Sequence, residues 1–156
     1  MAVDMFLKIQ GIPGESSDSK HKDEIDILSF QWGVSQVGAE FGGAGKVSVQ
    51  DFSFTHVLDK ASPKLFLACV TGEHIKEAML TVRKAVADRD QLEYLKYGLS
   101  DILVTKVEQA GSSDPPMESV SLNFIKFEIM YTPVDATGKL LPAVQAGFDF
   151  KRRRAF

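Results

Sequence analysis

Residues 47–76 read VSVQDFSFTHVLDKASPKLFLACVTGEHIK and join a strand pattern directly to a helix pattern. Aromatic and aliphatic side chains alternate with polar ones from Phe52 to Leu58, which is typical of a strand with one covered face. Val47 and Val49 alternate on the opposite parity, and such a phase change within one strand indicates a bulge or a bend. The first half of this stretch therefore predicts a long, irregular strand.

The second half of the stretch predicts one short helix. Ser62 suits the N-cap, Pro63 the first helical position and Gly72 the stop. About ten residues do not hold a helix in water alone, so this helix should dock on the sheets through an apolar stripe. The residues at helical spacing that we assign to this stripe are Leu65, Phe66, Cys69 and Val70.

The rest of the chain is dominated by short strand patterns separated by turn residues. Many short strands with one helix are typical of an antiparallel sandwich or barrel rather than of an alternating α/β fold. The 156 residues suffice for one domain with a real core, so we treat residues 1–156 as a single domain. The predicted strands are Val3–Ile9, Ile25–Trp32, Ile75–Lys84, Gln91–Leu99, Ile102–Gln109, Val120–Tyr131 and Gly147–Lys151.

The composition indicates a folded protein from a reducing compartment. Hydrophobic residues make up 44% and charged residues 25% of the chain, which is average for globular proteins. A single cysteine, Cys69, excludes a disulfide framework within the chain. Asp4 interrupts the apolar residues of the first segment, so we expect no secretory signal peptide, and no stretch approaches the length of a membrane span. We therefore expect a cytoplasmic protein that does not insert into a membrane.

Charge is distributed unevenly along the chain. The net charge of −3 gives no reason to expect a nucleic-acid partner. The segment Lys151–Arg154 contains four of the 18 basic residues, so the body before it holds 14 basic and 21 acidic residues, a net charge of −7. This basic tail, residues 151–156, is either solvated and without a role, or it holds its charges at a fixed point after a closing strand.

The segment Gly42-Gly43-Ala44-Gly45-Lys46 superficially resembles a phosphate-binding loop. The first glycine of that motif would fall on Glu40 and its hydroxyl residue on Val47, and a strand follows where the motif needs a helix. We therefore predict a flexible loop over Val37–Gly45 that becomes ordered against an adjacent subunit or ring, with Phe41 as a candidate anchor.

The sequence offers no catalytic or metal-binding constellation above background. No two of the three histidines, His21, His56 and His74, have ligand spacing on one strand or helical turn. Cys69 and His74 could form a nucleophile pair, but Cys69 falls on the apolar stripe of the helix, where a buried, inert thiol is favoured. We therefore predict no enzymatic activity and no cofactor.

The order of these segments closely resembles the haemolysin co-regulated protein (Hcp) family, the tube proteins of bacterial type VI secretion systems. Residues 47–76 are the most specific part, because a strand, a turn, the helix start and the glycine stop occur together there. HKDEIDILSFQWGVSQ and SVSLNFIKFEIMY match on either side. Together with residues 2–16, 45–84, 93–107 and 147–151, the ordered set covers nearly the whole chain.

The resemblance implies a β-barrel of two antiparallel sheets with one short helix at its side. It implies that six copies close into a ring with a wide channel and that rings stack into a tube. In that family the tube is sheathed, rests on a baseplate, carries a spike protein and can hold effector proteins in its lumen. A member of the family would be cytoplasmic before firing and extracellular afterwards, and no enzymatic activity attaches to the bare domain.

The resemblance also suggests where the channel lies. Ser29 and Gln31 interrupt an apolar face of the predicted strand Ile25–Trp32 with small or neutral polar groups, so we assign them to the lumen. The alternative is that they are covered polar groups with hydrogen bonds inside the subunit. The residues that we assign to ring or stacking contacts are Phe41, Gly42, Gly43, Lys46, Lys151, Arg152, Arg153 and Arg154.

A competing function is a small β-barrel that holds an apolar ligand in its interior. Eleven phenylalanines and one tryptophan are enough to fill a small barrel, so we favour a packed core. A strand that is apolar on both faces, such as Ile25–Trp32, supplies the kind of surface that a closed ring requires.

Overall fold

Strands provide most of the regular structure in the computed structural model, which describes residues 3–38, 42–43, 45–85, 91–112 and 114–156. The helix α1 (Ser62–Thr71) follows the fourth strand. The strands are β1 (Val3–Ile9), β2 (Ile25–Asp26), β3 (Ser29–Val37), β4 (Lys46–Val57), β5 (His74–Lys84), β6 (Leu92–Ala110), β7 (Met117–Asn123), β8 (Lys126–Tyr131), β9 (Val144–Asp149) and β10 (Arg154–Ala155).

Strand β6 organises the sheet because it pairs along both of its edges. One edge pairs with β5, and the other pairs first with β8 and then with β7. From β6 one arm continues through β5 to β1 and β2, a second through β8 to β9 and β10, and a third through β7 to β4 and β3. Every pairing is antiparallel.

The ladder of paired strands stays open in the described part of the chain, but two backbone hydrogen bonds join its arms. The N–H of Ile27 donates to the carbonyl of Met5 (3.1 Å), and the N–H of Leu28 donates to the carbonyl of Thr55 (2.8 Å). Leu7, Phe54 and other side chains of the different arms share one core. The predicted fold class, a mainly β antiparallel structure with one short helix at its side, is confirmed, although its hydrogen-bonded ladder does not close.

The predicted strand Ile25–Trp32 is divided into β2 and β3, and the side that faces the core changes between them. Ile25 and Ile27 are buried, whereas Leu28 is 54% exposed and Phe30 and Trp32 pack against the core. The buried side changes because the chain stops pairing with β1 after β2 and pairs with β4 from β3 onwards. The assumption of one continuous strand with two constant faces was therefore wrong.

Two other strand predictions differ from the structure in their boundaries. Gln91–Leu99 and Ile102–Gln109 form the single 19-residue strand β6, in which Asp101 adopts a positive φ of 55° while pairing continues on both sides. The predicted strand Val120–Tyr131 is divided into β7 and β8, since these two strands pair with different parts of β6.

The predicted irregularity of β4 is confirmed. Gln31 pairs with Ser53, but Gly33 pairs with Gln50, so β4 contains one extra residue opposite β3. The extra residue changes the parity, and it allows Phe52 to lie in the core at 0% exposure.

The helix begins and ends close to the predicted positions but turns a different face to the core. Gly72 ends it in the left-handed conformation (φ 68°), as predicted, whereas Ala61 takes the N-cap position in place of Ser62. Leu65 is buried, but Phe66 and Val70 of the predicted stripe are 47% and 72% exposed. The predicted stripe was therefore correct for Leu65 and Cys69, which contact the core, and wrong for Phe66 and Val70. The buried residues of the helix are Ser62, Leu65 and Ala68.

Candidate functional site

The two residues that we assigned to the lumen lie on the outer face of β3. Ser29 and Gln31 are both exposed. The hydroxyl groups of Ser29 and Thr55, on the neighbouring strand β4, form a hydrogen bond of 2.6 Å. Ser29 therefore has a partner within the subunit and still remains open to solvent, which matches neither the covered alternative nor a wholly free hydroxyl.

The same outer face continues as a polar surface across β4, β7 and the second half of β6. The Ser53 and Ser121 hydroxyls form a hydrogen bond of 2.9 Å. The Asp51 carboxylate accepts hydrogen bonds from the Thr105 hydroxyl (2.7 Å) and the Asn123 amide (3.2 Å). Lys106 and Glu108 of β6 pair with Ser121 and Ser119 and lie on this side as well. We call this surface the hydroxyl face, and its residues are Ser29, Gln31, Asp51, Ser53, Thr55, Thr105, Lys106, Glu108, Ser119, Ser121 and Asn123.

Sequence reasoning missed most of the hydroxyl face, although a signal was present. Serine and threonine alternate with Phe52 and Phe54 on β4, and serine alternates with Val120 and Leu122 on β7. Once such strands pair in register, alternation places every hydroxyl on one side and every large apolar group on the other. The alternation in residues 51–55 and 119–123 therefore predicts a polar wall rich in hydroxyl groups.

Aromatic side chains fill the space behind this wall. The Trp32 ring lies 4.9 Å from the Tyr97 ring, 5.5 Å from Phe124, 5.7 Å from Phe127 and 5.8 Å from Phe52, measured between centroids. Edge-to-face contacts of this kind hold rings in fixed orientations. The hydroxyl face therefore rests on a rigid support.

A buried ion pair joins β4 to β7 beneath the hydroxyl face. His56 and Glu118 are 0% and 1% exposed, and His56 Nε2 lies 2.6 Å from Glu118 Oε1. The Gln109 amide on β6 donates to the other carboxylate oxygen (2.7 Å). His56 Nδ1 faces Asp59 Oδ2 at 3.7 Å, which is too long for a hydrogen bond, so Asp59 contributes only its charge.

The surroundings of this ion pair favour its charged form. Burial would lower the pKa of His56, but the Asp59 and Glu118 carboxylates outweigh it and raise that pKa to about 9. Burial would raise the pKa of Glu118, but hydrogen bonds from His56 and Gln109 hold it below its usual range. The pair is therefore ionised near neutral pH and ties three strands together.

The other predicted chemical residues also have structural surroundings. The His21 ring stacks on Phe6, with 4.5 Å between centroids, and its two nitrogens lie 3.0 Å from Glu24 and 2.5 Å from Glu93. Cys69 is half-buried and His74 is exposed. In the described ranges no three His, Cys, Asp or Glu side chains group in a way that could hold a metal ion.

The outer half of the β3–β4 hairpin extends beyond the rest of the sheet. Within the part of the chain that the structure describes, residues 33–37 and 46–50 pair only with each other. Val34 pairs with Val49, and both lie on the side of the hairpin that also carries Phe30 and Trp32. Val47 lies next to Val49 on this side. The side chains of Val34 and Val47 are 58% and 40% exposed. We call Val34, Val47 and Val49 the hairpin face. Val49 is half-buried against the edge of the core, whereas Val34 and Val47 lie beyond that edge as an exposed apolar surface.

The predicted loop residues lie at the tip of this hairpin. Gly42 and Gly43 are exposed, and Gly42 has a φ of 80°. Lys46 is exposed and pairs with Val37 as the last rung of the hairpin. Phe41, the predicted anchor, lies outside the described residues.

The basic residues follow the closing strand, as predicted, but they do not form an extended tail. The strand is Val144–Asp149 rather than Gly147–Lys151, and the chain then turns back so that Arg154 and Ala155 pair with it as β10. Lys151, Arg152, Arg153 and Arg154 are all exposed.

Comparisons with known proteins identify the family. The model of the family described as type VI secretion system effector, Hcp, matches residues 6–131. The chain belongs to the Hcp family. Protein hcp1 of Pseudomonas aeruginosa is 47% identical to it over 144 residues, which is 88% of each chain.

Solved structures of Hcp proteins share the fold. The crystal structure of Hcp1 from Salmonella typhimurium matches with a TM-score of 0.83 and 40% identity over 100% of both chains. The crystal structure of a type VI secretion system effector from Yersinia pestis matches with a TM-score of 0.77 and 39% identity, over 94% of this chain and 99% of that one. The predicted function, a secreted tube protein of type VI secretion, is therefore confirmed at the level of the family. Where this Hcp protein is described, it has no helix long and apolar enough to cross a membrane.

Proposed function

We propose that this Hcp protein is the subunit of a hexameric ring, that the rings stack into the inner tube of a type VI secretion system, and that the tube carries effector proteins in its lumen. The protein acts as a structural component and not as an enzyme. Its partners are further copies of itself and the spike, sheath and baseplate proteins. It is cytoplasmic before firing and extracellular afterwards.

The observation that carries this proposal is the uncovered hairpin face. Val34 and Val47 continue the apolar side of β3 and β4 from Val49 past the edge of the core, and exposed apolar groups of this kind mark interaction surfaces. A hairpin that projects from one side of a subunit fits a contact between two different faces. Such a heterologous contact closes into a ring when the rotation between copies allows it.

Backbone groups also favour this arrangement. The sheet that carries the hydroxyl face runs from β3 through β4 and β7 to the second half of β6. β3 pairs only with β4, and residues 104–110 of β6 pair only with β7 among the described strands. Unpaired strand edges are templates for further pairing, so edges of neighbouring copies can meet and extend the polar wall around a ring.

The hydroxyl face suits the lumen of such a ring. Its charged side chains are Asp51, which accepts hydrogen bonds from Thr105 and Asn123, and Lys106 and Glu108, which pair with each other at 3.0 Å. The other side chains are neutral, and many of their polar groups bond to one another across strands. A wall of this kind stays hydrated without strong charge or apolar attraction to a passing protein. The alternative of a ligand-binding barrel is not favoured, because Trp32, Phe52, Tyr97 and Phe124 fill the interior.

Thiol labelling tests the assignment of Gln31 to the lumen. In a Cys69→Ala background, we expect Gln31→Cys in the assembled ring to react with a small maleimide but not with a maleimide carried by a folded protein larger than a subunit. Lys64→Cys, on the exposed side of α1, should react with both reagents. Protection of Gln31→Cys from the small reagent, or its reaction with the large one, would contradict a lumenal position.

A further inference from the structure

The basic tail forms a tight turn that is fixed at its beginning. Asp149 Oδ1 accepts hydrogen bonds from the backbone N–H groups of Lys151 and Arg152, both at 3.0 Å. These bonds hold the pKa of Asp149 below its usual range. Arg153 adopts a left-handed φ of 55°, which sends the chain back so that Arg154 pairs with Asp149. The charges are therefore presented on a folded turn.

The turn is also fixed at its end, where Phe156 lies over a glycine. The N–H of Phe156 donates to the carbonyl of Gly147 (3.2 Å), and the Lys126 ammonium lies 4.4 Å from the centroid of the Phe156 ring. A Cβ added to Gly147 would approach Cζ of Phe156 to 2.6 Å, so the ring occupies the space that a side chain at position 147 would take. The absence of a side chain at Gly147 therefore allows the Phe156 ring to pack there. We call this packing of Phe156 on Gly147 the Phe156 clasp.

The cations that this clasp presents are largely unneutralised. The only ion pair that the described residues provide for Lys151, Arg152, Arg153 or Arg154 is a contact of 4.0 Å between Arg152 and Asp149. All four side chains are exposed. A rigid group of uncompensated cations fits an anionic partner, since the entropy of ordering the backbone has already been lost on folding.

We infer that the Phe156 clasp holds the basic turn, Lys151–Arg154, as a docking element for the acidic surface of a second copy of this chain in the adjacent ring. This inference rests on the proposed function, because it requires stacked rings. The packing of Phe156 on Gly147 fixes the orientation of the basic turn, which a freely moving charged tail would lack.

Charge complementarity selects a second copy as the partner. The chain outside the turn has a net charge of −7, so every copy offers an acidic surface to the basic turn of another. The same acidic body would repel a nucleic acid, and proteins that bind nucleic acids carry a wider basic surface than one turn. Exposed carboxylates without an ion pair in the described chain include Glu73, Glu77 and Asp101, so part of the acidic charge of the body is free at the surface.

Two single substitutions should each prevent Phe156 from packing on position 147, and neither changes a charged residue. Phe156→Ala removes the ring, and Gly147→Val fills its seat. Gly98→Ala is the matched control, because a Cβ at that position on the same sheet meets Met79 and Glu128 at ordinary distances of 3.5 and 3.8 Å. The variant Lys151→Gln/Arg152→Gln/Arg153→Gln removes charge and leaves the clasp in place.

Sedimentation velocity across a salt series measures stacking, and native mass spectrometry of the same samples measures the ring. All variants should form the hexamer. At low salt, stacking should weaken by about tenfold or more in the charge variant, because each exposed pair is weak by itself but is repeated around the ring. Phe156→Ala and Gly147→Val should weaken it in the same direction, and Gly98→Ala should match the natural chain. The differences should disappear near 1 M salt, where the screening length is about 3 Å.

Normal stacking of either clasp variant would overturn the role of Phe156, and normal stacking of the charge variant would overturn the role of the turn. Both results would leave the hexameric ring, and therefore the proposed function, untouched. A natural chain that forms no ring in the mass spectrum would overturn both.

Discussion

Replacement of Glu118 with alanine is expected to lower the free energy of unfolding by about 3–5 kcal/mol, because it leaves the buried His56 without its partner on Nε2. Gln109 loses its acceptor in the same step. For a domain of this size, that loss corresponds to a fall of about 6–20 °C in melting temperature. Thermal unfolding followed by circular dichroism, at one fixed protein concentration, measures it.

Glu108→Ala is the matched control for this loss. Glu108 lies in the neighbouring strand β6 and contacts Lys106 at 3.0 Å, but their side chains are 63% and 58% exposed. Exposed pairs contribute about 0–1 kcal/mol, so this variant should melt close to the natural chain. Equal losses in the two variants would show that burial of the His56–Glu118 pair does not determine its contribution.

The same pair gives the stability a predictable dependence on pH. The pKa of His56 rises from its ordinary value of 6.5 to about 9 on folding, so its contribution is complete below about pH 6.5 and is lost as the pH rises through 9. The lowered pKa of Glu118 acts in the opposite sense and removes stability at acid pH. The melting temperature of the natural chain should therefore fall between pH 7 and 10, and this fall should be smaller in Glu118→Ala.

Replacement of Val34 with lysine is expected to abolish most of the hexamer while the subunit stays folded. Val34 lies on the hairpin face beyond the core, so the fold loses little. In a ring, every contact between copies would lose the burial of one valine, about 1.5–3 kcal/mol, and would also have to accommodate a charge. Light scattering at micromolar concentration should find smaller species, with circular dichroism unchanged.

Ser35→Lys adds the same charge one position further along β3, on the opposite side of the strand. Since that side carries Ser29 and Gln31, the substitution should leave the ring intact. Loss of the hexamer in Ser35→Lys, or its survival in Val34→Lys, would show that the hairpin face is not the surface that closes the ring.

Local patterns in the sequence were sufficient to predict the elements that depend on neighbouring residues. The phase change between Val49 and Phe52 correctly predicts the bulge in β4, and Gly72 correctly predicts the end of the helix. Both follow from the conformations that a short run of residues can adopt, so no distant part of the chain is needed to predict them.

Features that depend on distant partners could not be predicted in the same way. His56 and Glu118 are 62 positions apart, and only the register of β4 against β7 brings them together. The docked face of α1 depends on the surface beneath it, so helical spacing alone did not exclude Phe66 and Val70. Phe156 packs on Gly147 because the chain turns back after β9, and the run of basic residues does not predict that turn.

Native mass spectrometry of the natural chain, at micromolar concentration and without added ligand, tests whether six copies form a closed ring. We expect a dominant species of six times the 17.2 kDa mass of one chain, with no bound small molecule. A stable monomer or dimer, or a species that retains a ligand, would contradict this expectation.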